Sequence, residues 1–134
     1  MAINVIVKIW CLPVLRDPLY QEKQLLELHN MIVATTMGIP EFGVQSEKDM
    51  LNLFPADMMK YGLGKEILIE VTPFGSLIPH REQWNDARNK LIRGLAERVG
   101  LMIHSAEEVL CLIHPQEQEG ILRYTYRPER PKKE

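Results

Sequence analysis

The chain has 134 residues, 46% of them hydrophobic and 25% charged, with a formal net charge of −2. That length and balance describe one domain able to bury its own core. The slight negative charge argues against general nucleic-acid affinity, which depends on clustered Lys and Arg set against phosphates. No window approaches the ~18 uncharged apolar residues of a membrane span. Cys11 and Cys111 have no CxxC or Cys/His ligand spacing, so reduced thiols and a cytoplasmic setting are expected.

Ile3 to Trp10 is rich in β-branched residues and reads as a strand, which Pro13 breaks. Asp17 then stands where a helix N-cap belongs, and Pro18 suits the first helical position because its φ is fixed and it lacks an N–H. Leu25, Leu28, His29, Ile32, Val33 and Thr36 follow i, i+3, i+4, i+7 spacing, giving one apolar helix face. Gly38 and Pro40 end that helix, and a short strand is expected around Phe42 to Ser46. Leu53 to Met59 suggests one or two helical turns.

Lys65 to Thr72 is the second clear strand, and His80 to Val99 the second long helix, with Trp84, Ala87, Leu91, Ile92, Leu95 and Val99 as its buried stripe and Gly100 as its cap. Gly94 inside that helix carries a penalty of about 1 kcal/mol relative to Ala, which close packing at that point would explain. Arg81, Arg88, Lys90, Arg93 and Arg98 read as a solvated face. Val109 to Ile113 is a continuous apolar run, read as a strand buried on both sides. Ile121 to Arg127 alternates as a final strand.

The chain repeats itself faintly at a spacing of 62 residues: Val5-Ile6-Val7-Lys8-Ile9 matches Ile67-Leu68-Ile69-Glu70-Val71, and Gly38 matches Gly100. The expected fold is therefore α+β, two β-α-β units in pseudo-two-fold repeat. They form a four-stranded sheet with two helices on one face, plus a short C-terminal strand. The domain is expected to cover 1–127, with halves at about 1–62 and 63–127, and 128–134 to be a disordered tail. Alternation points Val5, Val7 and Ile9, with Ile67, Ile69 and Val71, toward the helices. Ile6, Lys8 and Trp10, with Leu68, Glu70 and Thr72, point away. That apolar far face implies cover by other copies of the chain. Lys8 and Glu70, equivalent under the repeat and opposite in charge, are expected to meet as an ion pair that sets register. The other expectation for Lys8 is a ligand-binding role.

The two β-α-β units, the Phe74-Gly75 break before the second helix, and Val109 to Ile113 followed by Pro115 and the last strand resemble the tautomerase superfamily. That group includes 4-oxalocrotonate tautomerase and macrophage migration inhibitory factor, and the nearer likeness is to small bacterial tautomerase-like proteins. The resemblance implies a homotrimer, with the three sheets inside and the helices outside. It also implies a site at the start of the first strand, where an N-terminal proline acts as general base and arginines bind a substrate carboxylate. This sequence has Ala2 there and no proline before Pro13.

The terminal amine, on Met1 or on Ala2 once Met1 is removed, is the candidate base. It acts as one only where its surroundings suit its pKa to the task. Arg16 and Lys8 are the candidate binders of a small anionic substrate. The implied activity is an isomerase's proton shift on a small keto/enol carboxylate. The alternatives are a trimeric ligand-binding or scaffold relative without catalysis, and a ferredoxin-like metabolite-binding module, whose β-α-β-β-α-β order is the same in sequence. No cofactor is implied. His29, His80, His104 and His114 lack metal-ligand spacing, and neither nucleic acid nor membrane is an expected partner.

Overall fold

A computed structural model describes residues 3–13, 17–55, 65–74, 81–115 and 122–129. Five strands form one mixed sheet: β1 (Val5–Trp10), β2 (Met50–Leu53), β3 (Glu66–Pro73), β4 (Glu108–Ile113) and β5 (Leu122–Tyr126), in the order β2-β1-β3-β4-β5. Within each β-α-β unit the two strands are direct neighbours and parallel, β1 with β2 and β3 with β4. The units join through an antiparallel β1–β3 pair, and β5 closes antiparallel on β4. The last strand is thus a full member of a five-stranded sheet. A ferredoxin-like order, with another strand between the two of each unit, is not the one observed.

Helix α1 (Pro18–Met37) begins as its sequence dictates: Asp17 is the N-cap, and its Oδ1 accepts a 2.9 Å hydrogen bond from the Leu19 N–H. Helix α2 (Arg81–Met102) packs against α1, β4 and β5. Both helices lie on one side of the sheet. Val5, Val7, Ile9, Ile67, Ile69, Val71, Val109, Cys111 and Ile113 are all buried beneath them, whereas Ile6, Trp10, Leu68, Leu110 and Leu112 on the other side are only half-buried. β4 is therefore buried on one face of the protomer, not on both. Burial pushes the Cys111 thiol well above its ordinary pKa.

The strand expected at 42–46 lies later. Pro40–Phe42 and Glu47–Asp49 are short 3-10 turns, and β2 starts at Met50. Two local devices move it. Gly43 adopts φ 69°, closing the first turn, and Ser46 and Asp49 form a reciprocal capping box around the second. Leu53 ends β2, and the helical turns expected beyond it fall largely on residues 56–59, outside the described residues.

Gly100 does not cap α2, which runs on to Met102. A Cβ at Gly100 would stand 2.5 Å from the Tyr126 ring, so the glycine makes room for the β5 aromatic. Gly94 is where α1 crosses: its Cβ would meet Thr35 Cγ2 at 3.1 Å. The arginines of α2 are not one solvated face. Arg88 is 1% exposed on the same stripe as Trp84 and Leu91, and it donates to Asn85 Oδ1 at 3.2 Å. Arg98 donates to Thr35 Oγ1, and Arg93 lies 5.3 Å from the Tyr124 ring centroid.

Candidate functional site

Sheet registry places one polar cluster at the centre of the face turned away from the helices. Lys8 on β1 is directly opposite Glu70 on β3, and Glu70 is level with Leu112 on β4. Around them lie Ile6, Trp10, Leu68 and Leu110, all at alternate positions of their strands. Leu51 and Leu53 of the edge strand β2 are 41% and 36% exposed on this side.

The Glu70 carboxylate is held from two sides. Trp10 Nε1 donates to Oε1 at 2.6 Å, and His114 Nε2 pairs with Oε2 at 3.0 Å. A carboxylate only accepts, so Nε2 of His114 carries the hydrogen of this contact. The expected direct Lys8–Glu70 ion pair is replaced by this arrangement. Lys8 is the cross-strand neighbour and acts through its charge, while the hydrogen bonds to Glu70 come from Trp10 and His114. The His114 hydrogen bond is the main cause that holds Glu70 below the ordinary carboxylate range; burial opposes it. The Trp10 hydrogen bond and the charges of His114 and Lys8 add to the lowering. Glu70 is thus an anion with both oxygens engaged, better suited to orienting His114 than to taking a proton itself.

A second polar cluster ties α1 to the β2 edge. Asn52 Nδ2 donates to His29 Nδ1 at 3.1 Å, and His29 Nε2 contacts Glu47 Oε2 at 3.2 Å. His29 is therefore satisfied by neighbours, although Asn52 Oδ1 is buried without a hydrogen-bond partner. These contacts fasten α1 to the segment around β2. Among the described residues no group of three His, Cys, Asp or Glu side chains is placed to hold a metal ion, and no helix is long and apolar enough to cross a membrane.

Of the residues singled out from sequence, Lys8 lies in the central cluster. Met1, Ala2, Arg16, His80 and the tail from 130 onward lie outside the described residues. His114 had no assigned role in the sequence. Its signal was parity, since it continues the outward series of Leu110 and Leu112, but joining it to Glu70 required the β3–β4 register. Compared with known proteins, the chain matches no family and no curated sequence.

Proposed function

We propose that copies of this chain assemble as a homotrimer of tautomerase-like architecture, which shifts a proton on a small keto/enol carboxylate. The observation that carries this reading is the half-bare sheet face. Ile6, Trp10, Leu68, Leu110 and Leu112 alternate across it with only partial burial, a surface that association would remove from water. The adjacency of the strands within each β-α-β unit, and the antiparallel join at β1–β3, support the same reading over a ferredoxin-like module. In the proposed site the terminal amine of Met1 or Ala2 is the base, and Arg16 and Lys8 hold anionic groups.

Ala2 in place of proline favours a second reading, the same trimer binding a small anion without catalysis. Native mass spectrometry tests the assembly, with a mass three times the 15.5 kDa chain expected. A ketonisation assay over a panel of enol-pyruvate substrates tests the chemistry. Activity that disappears when the terminal amine is acylated supports the isomerase. A trimer inactive toward the whole panel supports the binder, and a monomer overturns both.

A further inference from the structure

We infer that the Trp10–Glu70–His114 network is the polar centre of the surface through which copies of this chain associate, and that protonation of His114 loosens that association. The inference rests on the assembly reading above and adds a mode of control to it.

A carboxylate in the middle of a surface that will be covered is costly unless its oxygens are occupied. Both Glu70 oxygens are engaged by groups of their own protomer, Trp10 and His114. A copy laid over the face therefore leaves neither oxygen without a partner, and Ile6, Leu51, Leu53, Leu68, Leu110 and Leu112 give the same face its apolar surface.

Charge on the face fits a partner of the same sequence. The registers place Lys8, Arg123 and Arg127 on this side with Glu66, Glu70 and Glu108. Arg127 Nη2 pairs with Glu108 Oε1 at 3.3 Å, and Lys8 neighbours Glu70. Among the described residues that the strands place on this face, and with His114 uncharged, these cations and carboxylates are equal in number. A surface that meets its own copy gains from such neutrality, because any excess charge is repeated on every copy and repels itself.

Among the described residues of this face, His114 is the group whose side-chain type changes charge between pH 5 and 8. The groups facing it are Glu70 of β3, already countered by Lys8 of β1, and Arg123 of β5 beyond Leu112. One proton on His114 gives each copy an uncompensated positive charge. Exposed to water, that charge is solvated and screened. Beneath another copy it is desolvated and faces its like. Acid therefore favours the separate protomer.

Sedimentation of the full chain at pH 8 and pH 5, at equal ionic strength, with far-UV circular dichroism at each pH, tests this. The wild type is expected to be assembled at pH 8 and to fall to the chain mass at pH 5 with its secondary structure intact. His114→Gln keeps an N–H for Glu70 and no charge, and should stay assembled at both. Glu70→Gln leaves Lys8 uncompensated and should weaken assembly at least tenfold at pH 8, which tests the network even if His114→Gln fails to fold. Wild type assembled equally at both pH values, a pH dependence retained in His114→Gln, or acid dissociation accompanied by unfolding overturns the switch and leaves the assembly standing. A wild-type monomer at pH 8 overturns both.

Discussion

Lys8 and Glu70 face each other at the one point where the repeat in the sequence and the register of the sheet coincide. Val5 pairs with Pro73 and Trp10 with Leu68, whereas the repeat equates Val5 with Ile67 and Trp10 with Thr72. Only Lys8 is paired with its own equivalent. The pseudo-two-fold axis relating β1 to β3 therefore passes between these two side chains, perpendicular to the sheet. The symmetry is broken there by charge, and His114 and Trp10 gather on the acidic member.

The lowered pKa of Glu70 has a consequence for stability with a definite sign. A carboxyl whose folded pKa lies below its unfolded value stabilises the fold above that unfolded value, 4.5 here, and the contribution is lost as the pH falls through the folded one. Glu70→Gln should be less stable than wild type near neutral pH, and the two should converge in acid, where Glu70 is protonated. Urea midpoints measured from pH 7 down to pH 3 check this. A gap that stays constant across the range would show that the network adds nothing through its charge.

The residues legible in the sequence were those whose local chemistry agrees with their tertiary role. Asp17-Pro18 caps α1 as any helix start would, and the β-branched alternation of β1 and β3 assigns their faces unaided. β2 was misplaced because four residues, Met50-Leu51-Asn52-Leu53, carry too little pattern to outweigh the Phe42–Ser46 stretch, which Gly43 and the capping box turn into a loop. Arg88 reads as solvated in sequence because a cation defaults to solvent unless its position on the helix outweighs its charge. At the site, the repeat exposed Lys8 and Glu70, but a parallel register has no local signature, so His114 stayed hidden.

Gly94→Ala should reveal how tightly α1 and α2 meet. Alanine gains about 1 kcal/mol of helix propensity over glycine, but its methyl would stand 3.1 Å from Thr35 Cγ2. Thr35 is not able to turn away cheaply, since its hydroxyl donates to Met31 O and accepts from Arg98. The substitution should be neutral or destabilising in wild type and stabilising by roughly 1 kcal/mol in a Thr35→Ser background, which keeps the hydroxyl and deletes the methyl. Thermal denaturation of the four variants in the cycle decides it; equal effects in both backgrounds would deny the contact.

Gly100→Ala makes the same argument for the other side of α2. Its Cβ would fall 2.5 Å from the Tyr126 ring, and overpacking of that kind costs about 1–3 kcal/mol, enough to outweigh the propensity gain. Loss of stability is expected, with recovery when Tyr126→Ala is added. Failure of Tyr126→Ala to rescue would place the cost elsewhere than in the ring contact.

The open sheet face makes the sharpest mutational contrast. Leu19, at the start of α1, is 76% exposed and on the helix side of the protomer, while Leu68 is half-buried in the middle of the bare sheet face. On a lone protomer either leucine could become lysine at little cost, because a long side chain lays its stem along apolar surface and keeps its charge in water. If copies cover the sheet, Leu68→Lys buries an unpaired ammonium in that contact, whereas Leu19→Lys changes only solvent. Leu68→Lys should therefore reduce the sedimenting mass to that of one chain while its circular dichroism stays native, and Leu19→Lys should leave the mass unchanged. An unaltered mass for Leu68→Lys would mean that the sheet face is not where the copies meet.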